Sequence, residues 1–121
     1  MAKIYTGKLA LVSDPYLGAG SGPHERWREH VALIVTVNGQ PLDSRLDLAN
    51  RSPDGFETSG KGAYQLALAI LADFLGDGWL AAQLAPYFMS DVIAKLPRDR
   101  DWQITSEEIR RWLDDFRLER L

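Results

Sequence analysis

Gly62-Ala63-Tyr64-Gln65-Leu66-Ala67-Leu68-Ala69-Ile70-Leu71-Ala72-Asp73-Phe74-Leu75 is the stretch on which the fold turns. Its spacing predicts a helix, and Leu66, Ala67, Leu68, Ala69, Ile70, Leu71, Phe74 and Leu75 leave that helix almost no polar face. A helix apolar all round must be covered on most sides, so residues 62–75 are expected as the central helix of a core. Gly76-Asp77-Gly78 supplies the stop. The apolar run Leu66 to Leu75 is too short for a membrane span and is broken by Asp73.

Working towards the N-terminus, Ser52-Pro53-Asp54-Gly55 fits a type I turn, with Phe56 as its apolar anchor. Val31 to Val37 is a β-branched run expected as a central strand. Asn38-Gly39 then offers two residues tolerant of positive φ, the preference of a type I′ hairpin. Beyond it, Leu42, Ser44, Leu46 and Leu48 alternate with Asp43, Arg45 and Asp47, which reads as a half-buried edge strand after Pro41. Lys3 to Val12 reads as the first strand. Between these strands, residues 13–30 carry Pro15, Gly18, Gly20, Gly22 and Pro23 without helical or strand period and read as a long loop or insertion. Loops of that length are uncommon in compact domains and often functional.

Towards the C-terminus, Trp79 to Leu84 is expected as a short helix, and Pro86 as the first-turn residue of a next one bearing Phe88, Val92, Ile93 and Leu96. Pro97 ends it, and Trp102-Gln103-Ile104 is an extended link. Thr105-Ser106-Glu107-Glu108 has the form of a capping box, opening a last helix with Ile109, Trp112, Leu113 and Phe116 on one stripe. The expectation is one α+β domain over residues 1–121: a small antiparallel sheet, a buried central helix, and C-terminal helices packed on one face.

Composition agrees with a globular domain. The chain is 45% hydrophobic and 26% charged, with four Trp, four Tyr and four Phe. Cysteine is absent, which excludes disulfides and thiolate metal sites and is compatible with a reducing compartment. The opening Met-Ala-Lys-Ile-Tyr lacks the apolar region of a signal peptide, so a cytoplasmic location is expected, with no membrane contact. A net charge of −3 disfavours non-specific nucleic-acid binding.

Gly55-Phe56-Glu57-Thr58-Ser59-Gly60-Lys61-Gly62 matches the spacing of a phosphate loop, whose backbone N–H groups and lysine cradle phosphate. Gly62 stands where a Mg²⁺-holding Ser or Thr is required, and a turn precedes it where a buried strand is required. What remains is passive anion binding at a helix start by Gly60, Lys61 and Gly62, against a plain glycine-rich turn. His24, Glu25, Glu29 and His30 have no recognised ligand spacing and read as a solvated polar loop. Ser52 with Asp54 lacks the orienting histidine of a nucleophile. Arg98, Arg100, Arg110 and Arg111, interleaved with Trp102 and Trp112, form a possible nucleic-acid footprint diluted by Asp99, Asp101, Asp114 and Asp115. No catalytic residue, metal or cofactor is expected.

Ser52-Pro53-Asp54-Gly55-Phe56, Ser59-Gly60, Gln65-Leu66-Ala67-Leu68-Ala69-Ile70-Leu71, Val92-Ile93-Ala94-Lys95-Leu96-Pro97 and Trp102-Gln103-Ile104-Thr105 through Glu108-Ile109 together resemble an uncharacterised family of small proteins borne by phages, plasmids and other mobile bacterial elements. Tyr5-Thr6-Gly7 is similar to that family's opening strand. The chain departs from the pattern at Glu57-Thr58, where an aromatic, glycine-rich segment is usual, and at Lys61, where Pro is usual. Residues 13–30 look like an insertion relative to shorter relatives. The resemblance implies a fold and a mobile-element setting, and no activity.

These readings lead to a non-enzymatic, protein-binding accessory protein of a phage or mobile element, such as an inhibitor of a bacterial defence system of the anti-CRISPR kind. Its partner is expected to be a host or phage protein. The expected contact residues are Tyr16 and Trp27 in the long loop and Asp43, Arg45 and Asp47 on the polar strand face. The alternatives are a nucleic-acid-binding accessory protein using the arginine cluster, and a small phosphate- or nucleotide-binding protein using the Gly60 helix start.

Overall fold

The computed structural model describes residues 2–15, 27–53 and 55–120. In chain order the elements are β1 (Ile4–Pro15), β2 (Trp27–Val37), β3 (Gln40–Pro41), α1 (Gly60–Leu75), α2 (Gly78–Asp91), a 3-10 turn at Ile93–Lys95, β4 (Trp102–Thr105) and α3 (Ser106–Arg120). The four strands form one antiparallel sheet in the order β3-β2-β1-β4. The α+β expectation holds.

The sheet buries one face. Tyr5 is paired with Val37 on one side and Ile104 on the other, and Gly7 with Val35 and Trp102. Directly opposed residues share a face, and Tyr5, Val35, Trp102 and Ile104 are all buried. Against them lies α1, in which every residue from Leu66 to Leu71 is fully inaccessible. Complete burial contributes about 1.5–3 kcal/mol for each large aliphatic side chain in that run, so the enclosed helix expected from the sequence is the centre of the fold. Ala81, Ala85 and Phe88 of α2, Ile93 and Ile109 close the core. Phe88, Trp112, Phe116 and Tyr87 form a chain of ring contacts with centroids 5.0–5.2 Å apart, joining α2 to α3. The indole N–H of Trp112 donates to Asp91 at 2.9 Å.

Local signals explain several junctions. Asn38 and Gly39 both take positive φ, as a type I′ turn demands, and Asn38 Oδ1 also accepts the Ile4 N–H at 2.9 Å. Gly76 ends α1 in the left-handed conformation, with its N–H on the Ala72 carbonyl at 3.0 Å. Asp77 caps α2 by accepting from the Leu80 N–H, and the Thr105 hydroxyl accepts from the Glu108 N–H. The Gly55 N–H reaches the Ser52 carbonyl at 3.5 Å, and the Ser52 hydroxyl donates to the Gly55 carbonyl at 2.6 Å, so the expected turn is present.

Four expectations are corrected. Residues 13–30 are not one loop: Ser13, Asp14 and Pro15 pair with Glu29, Arg28 and Trp27, because the β1–β2 ladder propagates through residues with little strand signal of their own. Leu42 to Leu48 is not a strand. After Gln40–Pro41 a single further bond joins the Leu42 N–H to the Val35 carbonyl, and the chain then turns at Arg45, whose φ is +53°. The segments around Trp79 and Phe88 are one helix, α2, with Pro86 inside it. Pro86 is exposed and Ala82, whose carbonyl loses its partner, is only half-buried, so helix continuity costs less than burial of Ala81, Ala85 and Phe88 returns. Residues 102–104 are no mere link but part of an edge strand, held by pairing to Ile4–Gly7.

Candidate functional site

The Gly60-Lys61-Gly62 helix start is present, and α1 begins there, two residues earlier than the periodicity indicated. Gly60 adopts φ +65°, and Gly60 and Lys61 are exposed. Gly62 is buried beneath Glu57: a Cβ at position 62 would stand 2.7 Å from the backbone nitrogen and Cβ of Glu57. The glycine therefore serves a close approach of chain to helix. The approaching residue is itself an acid beside the first turn, where a bound anion would have to lie.

Asp43, Arg45 and Asp47 come together, but in a loop. Asp43 Oδ1 accepts the Arg45 N–H at 2.9 Å, and Arg45 grips Asp47 through Nε–Oδ1 at 3.0 Å and Nη2–Oδ2 at 3.1 Å. That hydrogen bond raises the Arg45 pKa and lowers that of Asp47. The Arg45–Asp47 pair is neutral at the surface and offers a partner little, while Asp43 spends one oxygen on the loop backbone. Tyr16 lies outside the described residues. Trp27 stands in β2 opposite Pro15, its side chain outside the description. Of the histidine group, His24 and Glu25 also lie outside it, and His30 stands in β2. Among the described residues no three His, Cys, Asp or Glu side chains converge as metal ligands. Arg98 and Arg100 are exposed before β4, while Arg110 and Arg111 lie on α3. Asp101 caps the sheet edge by accepting the Leu9 N–H at 3.1 Å.

Two polar arrangements were missed by sequence reasoning. Gln65 is fully buried on α1; its Oε1 accepts the Arg51 N–H at 3.1 Å and its Nε2 donates to the Ser44 carbonyl at 2.6 Å. It does for the 44–51 loop what a neighbouring strand would have done. The second centres on Asp73, which accepts from the buried Tyr5 hydroxyl at 2.7 Å and from Lys3 Nζ at 3.1 Å. Lys3 Nζ also reaches the Asp73 carbonyl at 3.2 Å, and the Lys3 backbone exchanges two 2.9 Å bonds with Ser106. Burial first, then the hydrogen bond and the negative charge of Asp73, push the Tyr5 pKa well above the ordinary tyrosine value. The phenol thus stays protonated and the cluster clamps β1 to α1 and α3. Asp73 interrupting an otherwise apolar helix was the only signal of it in the sequence.

Beside this clamp opens a cleft of about 450 Å³ between Lys3, the C-terminal end of α1 at Phe74 and Leu75, and the Arg110, Leu113, Asp114 and Arg117 side of α3. A smaller cavity of about 160 Å³ lies across Asp73, against Leu42, Asp43, Arg45 and Ala69.

A pair of exposed apolar side chains lies on the two long strands. On the core-facing side of β1, burial runs out from Tyr5 and Gly7 to a half-exposed Leu9 and a Leu11 that is 69% exposed. On β2 it runs from Val35 to Leu33 to a Val31 that is 65% exposed. Leu11 and Val31 are directly paired. β4 stops opposite Gly7, and β3 opposite Thr36, so among the described residues this distal ribbon has no further strand on either flank beyond the Leu33–Phe56 bridge.

Residues 24–115 match the model of DUF6166, a family of unknown function. No curated protein and no solved structure matches the chain.

Proposed function

We propose that this chain, which belongs to the DUF6166 family, works as a non-enzymatic protein-binding accessory protein with the distal β1–β2 ribbon as its contact element. The observation that carries this reading is the Leu11–Val31 pair. It continues the core-facing side of the sheet beyond Tyr5, Gly7 and Val35, on a ribbon whose edges, among the described residues, meet only the Asp101 bond at Leu9 and the Phe56 bridge at Leu33. An exposed apolar pair on an open-edged ribbon is costly in isolation and useful against a partner. This relocates the contact from the Asp43-Arg45-Asp47 loop, where Arg45 is paired with Asp47 and Asp43 bonds the loop backbone.

The resemblance to mobile-element proteins sets the finer reading: a phage or plasmid accessory acting in the bacterial cytoplasm on a host or phage protein, with inhibition of a defence system of the anti-CRISPR kind as its activity. No helix of the described residues is long and apolar enough to cross a membrane.

The test is affinity purification from the bacterial host with wild-type chain, a Leu11→Asp/Val31→Asp variant and a Lys61→Ala control. One partner should be recovered in stoichiometric amount with wild type and control and lost with the ribbon variant, whose circular dichroism stays native. Equal recovery by all three, or recovery of no partner, refutes the ribbon reading. Restored phage plating on defence-bearing cells, lost with the same variant, tests the finer one.

A further inference from the structure

We propose that the cleft between α3, the end of α1 and Lys3 is a second binding surface, one that takes an acidic peptide segment carrying an apolar side chain from a partner protein. Arg110 and Arg117 lie on the α3 wall of the cleft, seven residues apart on one helix face. Two turns of helix separate them by about 10 Å along the axis. Both are exposed, and neither makes an ion pair or hydrogen bond among the described residues. Lys3, by contrast, is already committed to Asp73. The half-buried Phe74, Leu75 and Leu113 add an apolar part to a lining that is otherwise polar. Two unpaired guanidiniums on a chain of net charge −3 form a local field opposite in sign to the whole.

The occupant follows from this arrangement. A guanidinium prefers a planar carboxylate, which it grips with two parallel bonds. An extended chain rises about 3.3 Å per residue, so acids three positions apart match the spacing of the arginines. An apolar side chain between them reaches Phe74 and Leu113. Asp114 lies between the two arginines and suits a peptide, whose backbone N–H groups it can accept. The same carboxylate opposes a nucleic-acid backbone, which needs an unbroken basic track. The surface is separate from the β1–β2 ribbon, so it stands or falls independently of the ribbon reading.

The test is selection of a displayed random-peptide library on the full chain, followed by fluorescence anisotropy with the synthetic consensus peptide. Enrichment of sequences with two acids flanking an apolar residue is expected. Affinity should fall at least about tenfold in Arg110→Glu/Arg117→Glu, fall with added salt, and rise in Asp114→Asn. Leu11→Asp/Val31→Asp should bind the peptide like wild type. Native circular dichroism of each variant shows that the fold is intact. No enrichment, a consensus without acids, or equal affinity for the double-charge variant overturns the proposal. So does a single-stranded oligonucleotide that displaces the peptide and loses its own binding in Arg110→Glu/Arg117→Glu, since the cleft would then be a nucleic-acid surface.

Discussion

Gly7 of β1 and Trp102 of β4 face each other across the ladder, and the Trp102 indole occupies the space in which a Cβ on Gly7 would stand. The indole approaches at the ring-fusion carbon Cε2, flanked by Cζ2 and Nε1, so no side chain fits at position 7 while the indole keeps its place. Trp102 is buried, and among the described residues no acceptor reaches its Nε1–H, so the indole is held by packing.

Gly7→Ala should therefore destabilise the fold by about 1–3 kcal/mol through overpacking. Urea denaturation checks it. The double variant Gly7→Ala/Trp102→Leu should lose less than the sum of the two single variants, since Trp102→Leu removes the clash. Additive losses would mean that the indole does not set the glycine requirement.

Gln65→Leu should cost about 1–3 kcal/mol, because the Arg51 N–H and Ser44 carbonyl lose their buried partner. Amide exchange localises the effect. The Arg51 amide should lose protection selectively, while amides in the middle of α1 keep theirs relative to global stability. Uniform loss would show that the glutamine matters only as core volume.

Raised pKa at Tyr5 sets the direction of an alkaline effect. The folded state keeps the phenol proton at a pH where the unfolded chain releases it. The contribution to stability is therefore complete below the ordinary tyrosine value of about 10 and is lost as pH rises beyond it. Between about pH 9 and about pH 11.5 the wild-type melting temperature should fall more steeply than that of Tyr5→Phe. Parallel curves would remove Tyr5 from the alkaline transition.

Lys61→Ala should leave stability and phosphate response unchanged, because Glu57 already lies against the first turn of α1. Thermal shift with inorganic phosphate reads this directly. A phosphate-dependent rise in melting temperature that Lys61→Ala abolishes would return the helix start to the list of anion sites.

Much of the fold was legible because its signals are local. The unbroken apolar character of residues 66–71 states that α1 is enclosed, and Asn38-Gly39, Gly76, Asp77 and Thr105 mark their turns and caps through backbone chemistry that acts within a few residues. The misread segments depend on distant partners. Residues 102–105 become a strand only because β1 presents a free edge, and 42–48 is relieved of strand pairing by one glutamine on α1. Proline suits a first turn and so marks a helix start at Pro86, yet the buried stripe through Ala81, Ala85 and Phe88 carries the helix across it. The clamp on Asp73 was invisible for the same reason, since Lys3 and Tyr5 are far from it in sequence.

The sequence by itself determined that this chain forms an α+β domain around a helix without a polar side, since apolar periodicity and turn chemistry are properties of neighbouring residues. Tertiary structure alone decided where burial stops on the β1–β2 ribbon, which charges are paired at Arg45 and Lys3, and which remain open at Arg110 and Arg117. Exposure and charge pairing are set by whatever folds against a residue, and no local pattern encodes what arrives from the other end of the chain.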